Sequence, residues 1–258
     1  MRMLALPLAF LLACCLYLPL PRAAAWLADG VARLYAAFLR PLSRSKRPCN
    51  ARLALALFVL LFGGVCQLVG LWHVLATAVV TAPLFSALTL LPEAVRVKDE
   101  LDGGAFSRDT AGYEARVREV CASLAPAFVT DLCAPLLLLV LGAPLRLSCA
   151  LGGMYFALRA LCDQSADARR TVALLRRPAW ALARGMLMLC SCVVGRNPFR
   201  AKGNEPRALL LSILGIAGDG TDTHAPVAGD IAQAVLLCGF AAALACVLLT
   251  IVLFPLCR

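Results

Sequence analysis

Residues 53–91 form a run of thirty-nine amino acids without one formal charge. A helix needs about 20 apolar residues to cross the ~30 Å hydrocarbon core of a bilayer, so this run has length for two passes. It predicts a helical hairpin turning near Gly70-Leu71-Trp72-His73, with Trp72 at the interface and Pro83 as a second break. The whole chain points the same way: 62% of its 258 residues are hydrophobic and 16% charged, against roughly 45–50% and about 25% in a soluble domain. The expected fold class is all-α. We expect a polytopic integral membrane helical bundle, multi-pass in the cell membrane, as a single membrane domain over residues 1–258. Residues 1–91 carry an N-terminal membrane helix, a basic amphipathic helix and the hairpin; residues 92–258 carry charged loops and the C-terminal membrane helices.

The formal net charge of +10 suggests a nucleic-acid partner only until the basic residues are located. They sit in loops between apolar runs with no groove-reading motif, so they read as positive-inside topology and contact with the lipid bilayer, not nucleic acid. The segment 22–52 holds seven Lys/Arg against one acid, Asp29, which places it on the cytoplasmic side. Within it Trp26, Leu27, Val31, Leu34, Tyr35, Phe38 and Leu39 recur at helical spacing, as in an interfacial helix. The thirteen cysteines lie mostly inside apolar stretches without a CxxC pair, and read as small buried hydrophobes.

The stretch 107–159 is the candidate site. A charged loop containing Arg108 and Asp109 leads into a helix beginning after Thr110, and Pro126 is expected to end or kink it. Asp131 then stands at the mouth of an apolar segment, a costly position for a carboxylate without a partner or a task. From Leu132 to Leu158 the apolar run is broken by Gly142-Ala143-Pro144 and Arg146, so it forms either one kinked span or a re-entrant pair. Further on, Pro178–Val194 is a candidate span containing Arg184. The loop 218–224 is a solvated turn or a cation contact, and Asp230 lies in the first turn of the terminal helix or at its cap, where a negative charge suits the helix dipole. No P-loop, HExxH or GxSxG pattern is present.

Several motifs in shared order resemble the adenosylcobinamide-phosphate synthase (CobD/CbiB) family of cobalamin (vitamin B12) biosynthesis. Arg108-Asp109-Thr110-Ala111-Gly112 is similar to its G-R-D-T-x-x-L, and Asp131-Leu132-Cys133-Ala134-Pro135-Leu136 to its D-G-V-V-A-P-L-F. Leu141-Gly142-Ala143-Pro144 resembles its G-G-x-P turn and Tyr155-Phe156-Ala157-Leu158 its Y-K-A-V. Asn204-Glu205-Pro206 and Asp230-Ile231 stand at its late G-W-P-E-A and D-I-x-x-A positions. The chain departs where that family has V-E-S-x-x-E-N, reading Val120-Cys121-Ala122-Ser123-Leu124-Ala125-Pro126 without the acids.

The resemblance implies a membrane ligase that attaches aminopropanol or its phosphate to the corrinoid adenosylcobyric acid through an amide bond, with ATP and Mg²⁺. It implies Arg108, Asp109, Asp131 and Asp163 as catalytic groups, Thr110, Tyr155, Asn204 and Asp230 as substrate contacts, and Asp109 and Asp131 on the metal. The missing acids favour the alternative, a non-catalytic membrane relative that binds a corrinoid or a partner protein, or an AmpE-like envelope sensor.

Overall fold

The computed structural model describes residues 5–17, 23–39, 48–72, 78–79, 82, 89–103, 110–195, 205–217 and 223–256. Among them every regular element is helical: α1 (Ala5–Tyr17), α2 (Ala23–Leu39), α3 (Pro48–Trp72), α4 (Leu90–Asp102), α5 (Thr110–Phe128), a π-helical turn (Val129–Cys133), α6 (Ala134–Gly142), α7 (Ser148–Ala160), α8 (Ala166–Val193), α9 (Pro206–Leu214) and α10 (Ala228–Leu256). Three stretches are long and apolar enough to cross a membrane: Ala51–Leu71, Ala111–Gly142 and Ala228–Ile251. The chain is an all-α membrane bundle.

α10 forms the spine. Ala234, Ala241, Ala242 and Ala245 are buried along it, and such small side chains let neighbouring backbones approach where hydrophobic burial does not drive packing. Its opposite face exposes Leu236, Phe240, Val247 and Ile251. α3 likewise exposes Leu53, Leu57, Leu60 and Leu68, as a lipid-facing surface must.

The stripe read as interfacial in α2 is divided. Val31 and Tyr35 are buried against Leu55 and Phe58 of α3, with Tyr35 and Phe58 edge to face at 5.1 Å. Trp26, Leu27 and Leu34 remain exposed. The expected hairpin after Trp72 falls largely on residues outside the described set.

Two prolines do not end their helices. Pro126 lies inside α5, which runs on through the π turn into α6. The Ala134 N–H bonds to Val129 O, five residues back, so the backbone widens just beyond the residue that lacks a donor. Pro178 lies inside α8, on an exposed face with Leu174, where water or headgroups can reach the carbonyl left without its N–H. The expected span Pro178–Val194 is thus the second half of a 28-residue amphipathic helix.

Residues 132–158 do not form one continuous span: a turn at 143–147 divides them, and the first helix continues the candidate span Ala111–Gly142. α6 and α7 form a tight hairpin in which Leu147 N–H bonds to Gly142 O at 2.8 Å. The 13 residues of α7 rise about 20 Å, short of the ~30 Å core, so this arm is too short to cross a bilayer by itself. It packs on α3 where a Cβ on Gly153 would stand 2.6 Å from Cys66 Sγ.

Candidate functional site at the hairpin base

The open end of this hairpin carries the site. Eleven residues separate Asp131 from Gly142 and eleven separate Ser148 from Arg159, so equal arms bring the two side chains level. Arg159 Nε donates to Asp131 Oδ1 at 2.7 Å, and Nη2 lies 3.5 Å from Oδ2. The carboxylate is 12% exposed and the guanidinium 44%. The hydrogen bond to Asp131 pushes the Arg159 pKa above its ordinary value, against the opposing pull of burial. Directly beneath, the Tyr155 hydroxyl donates to Thr130 O in the π turn, and burial, then the nearby Asp131 charge, raises the tyrosine pKa.

The turn into α8 supplies the next groups. Ser165 is an extended N-cap whose side chain accepts from the Ala168 N–H, a preferred cap chemistry. Asp167 in the first turn bonds to Arg52 of α3 at 3.1 Å, which fixes the start of α8 beside the hairpin. Asp163 is held in the intervening turn, and Arg169 Nε donates to Cys162 O at 3.2 Å. These elements, with α2, enclose a cavity of about 670 Å³ lined among others by Asp29, Asp131, Asp163, Arg159, Arg169 and Arg176.

Three guanidiniums thus face three carboxylates. Asp131 and Arg159 neutralise each other, while Arg176, Asp29 and Asp163 make no hydrogen bond or ion pair with described residues. The cavity is therefore equipped for a ligand bearing both an anionic group and a cation. Sequence reasoning named Asp131 and Asp163 but missed Asp29, Arg159, Arg169 and Arg176. The signal for the three arginines was the basic density of 159–177, read only as topology; Asp29, the one acid of 22–52, carried none that tied it to this site.

The other expected residues distribute differently. Arg108, Asp109 and Asn204 lie outside the described residues, as does the side chain of Thr110. Tyr155 is 2% exposed and serves as an internal strut, its hydroxyl occupied by Thr130 O. Asp230 does not line the cavity. It is 1% exposed at the start of α10, accepts from the Val227 N–H at 3.0 Å and bonds to His224 Nε2 at 2.9 Å. This second cluster includes Tyr113 of α5, whose hydroxyl accepts from the Ala228 N–H at 2.8 Å.

The described part of the cavity does not fit a Mg²⁺ site. Asp131 is already compensated by Arg159, and two further guanidiniums line the same space. Among the described residues no group of three or more His, Cys, Asp or Glu could hold a metal ion. No protein-family model matches the chain, and comparison with curated proteins and with solved structures gives no match either. Fold and site define a helical membrane protein with a mixed-charge cavity at the base of a helical hairpin.

Proposed function

We propose that this cavity binds a small phosphorylated or carboxylated amine at the cell membrane, and that its chemistry is amide formation between aminopropanol, or aminopropanol phosphate, and adenosylcobyric acid. The observation that carries the reading is the lining itself: Arg176, Asp163 and Asp29 share one cavity, and among the described residues none of them is ion-paired. Arginine pairs with phosphate or carboxylate through two parallel bonds, and a carboxylate holds an ammonium. The volume of about 670 Å³ lies within the ~300–1,000 Å³ of small-molecule sites. A corrinoid macrocycle would stay outside, offering only a propionate arm.

In this reading Arg176, with Arg169, orients the anionic group, and Asp163 holds the amine and takes the proton it loses on forming the amide. ATP, implied by the resemblance, would supply the activation that turns a carboxylate into an acyl donor. No step is assigned to Mg²⁺.

The Asp131–Arg159 pair supports a second reading. A carboxylate satisfied from within the chain acts as structure, as expected of a non-catalytic relative that binds a corrinoid or a partner. One experiment separates the two. In a strain lacking the aminopropanol-attaching step, the wild-type chain should restore cobalamin synthesis and Arg176→Gln should not. Calorimetric titration of aminopropanol phosphate should show binding weakened at least tenfold in both Arg176→Gln and Asp163→Asn. Binding without complementation selects the second reading; absence of binding removes both assignments of the cavity.

A further inference from the structure

The face of α8 turned away from the bundle changes character along its length. Arg170, Leu174, Arg177, Ala181, Gly185 and Leu189 recur every three or four residues and are all exposed, whereas Ala168, Val172, Ala179, Ala183 and Leu187 are buried on the other side. The exposed stripe is cationic through Arg177; the one charge of α8 beyond it is Arg184, half-buried and seven residues on, at the edge of the same face. Trp180, half-buried, stands at the changeover, the position interfacial aromatics favour.

Arg170 and Arg177 make no hydrogen bond or ion pair with described residues. The one acid in the first turn of α8, Asp167, is taken by Arg52. The apolar half is open, since a Cβ added at Gly185 would meet nothing within 4 Å.

We propose that this face docks an anionic phospholipid, its phosphate on Arg177, its headgroup within the field of Arg170, and an acyl chain along Ala181, Gly185 and Leu189. Guanidinium matches phosphate geometry and sheds water more readily than ammonium, and the exposed, uncharged Ala181, Gly185 and Leu189, on the side away from Arg184, supply the surface that acyl carbon requires. A neutral lipid would leave both arginines without a counter-charge. The inference does not rest on the amide-forming reading, because neither Arg170 nor Arg177 lines the cavity.

The test uses the full chain purified in detergent and offered equimolar phosphatidylglycerol and phosphatidylcholine, with retained lipid counted by native mass spectrometry. Each basic group near an anionic surface contributes about fivefold, so R170Q/R177Q should lower the preference for phosphatidylglycerol about twentyfold. R170K/R177K, which keeps the charge, should retain most of it. R116Q/R207Q, which removes equal charge from exposed helix positions elsewhere, should leave it unchanged. An equal fall in R116Q/R207Q would assign the effect to net charge and overturn the site, as would an unchanged preference in R170Q/R177Q. Retention of neither lipid, with self-association of the wild type lost in R170Q/R177Q, would assign the face to a second copy of the chain. Should R170Q/R177Q not purify as a single species, the wild-type melting midpoint decides: it should rise with phosphatidylglycerol only, and an equal rise with phosphatidylcholine overturns the proposal.

Discussion

Gln67, near the end of the candidate membrane-crossing stretch of α3, accepts a hydrogen bond from the Ala150 N–H at 3.0 Å in the first turn of α7. Its own amide donates to Arg146 O at 2.6 Å. One side chain thus pairs an orphan donor of a helix start and a carbonyl of the hairpin turn, where Arg146 sits at φ 57°. Gln67→Met keeps the bulk and leaves the buried Ala150 N–H unpaired, at about 1–3 kcal/mol, while the exposed Arg146 carbonyl can turn to water. The melting midpoint in detergent should fall, with α7 amides next to the turn exchanging hydrogen faster than those of α10. Uniform exchange in both helices would show that Gln67 is not the clasp.

Neighbouring glycines on α3 should respond in opposite ways. A Cβ on Gly63 would lie 2.8 Å from Ala150 O and 2.5 Å from Met154 Cγ, while one on Gly64 would meet nothing within 4 Å. The backbone oxygen cannot step aside as a methionine can. Gly63→Ala should therefore lose about 1–3 kcal/mol through overpacking, and Gly64→Ala should be neutral or gain up to ~1 kcal/mol from helix propensity. Denaturant titration of both variants in micelles checks the contrast.

Much of this arrangement follows from the sequence. The uncharged run after Arg52 yields α3, the run from Ile231 yields the apolar body of α10, and Asp131 stands out because an ionisable group in an apolar setting needs a reason. Its partner does not stand out. Arg159 lies twenty-eight residues away, and only a turn fixed at 143–147 sets the register that joins them. Of the two outcomes open for Pro126, the helix does not end there: propensity penalises a proline locally, while packing on both sides carries α5 on into the π turn. Asp230 at the start of the terminal helix was legible from charge and position, and it lies in the first turn, whereas its substrate role came from resemblance alone.

The Asp131–Arg159 pair can be weighed by a double-mutant cycle. Arg159→Gln leaves a largely buried carboxylate with its strongest partner removed. Breaking a fully buried pair costs about 3–5 kcal/mol, but the arginine is 44% exposed, so solvent screening reduces the expected loss to about 1–2 kcal/mol. Asp131→Asn should cost less, since the freed guanidinium can turn to water, and the double variant should recover part of the loss. If it also complements as well as the wild type, the pair is a structural clamp beside the ligand groups rather than one of them.

Alkaline conditions should loosen the hairpin base. Burial raises the Tyr155 pKa in the folded chain above its ordinary value of 10.0, so the folded state holds that proton more tightly than the unfolded one. The stabilisation is complete below pH ~10, the unfolded value, and fades as pH rises toward the folded value. Tyr35, also raised by burial, adds in the same direction. Tyr155→Phe should lower stability at pH 8 by about 1 kcal/mol through the lost bond to Thr130 O, while flattening the decline between pH 9.5 and 11. A melting series across that range should show parallel curves only if Tyr155 has no part in it.

The cluster at the start of α10 should separate from ligand binding. Asp230 is buried and tied to His224 and to the Val227 N–H, and Thr223 beside it closes the loop onto Gly215 O through its N–H at 2.9 Å. Asp230→Asn keeps an acceptor for Val227 but removes the charge opposite the imidazole, and His224→Ala removes that imidazole. Either should cost about 1–3 kcal/mol, seen as a lower melting midpoint and faster proteolysis around residues 215–227. Neither group lines the cavity formed by Arg159, Arg176 and Asp163, so titration of aminopropanol phosphate into either variant should give an affinity within about twofold of the wild type. An intact fold with binding lost in Asp230→Asn would instead carry the site to the beginning of α10, and the mixed charge at the hairpin base would no longer suffice to explain recognition.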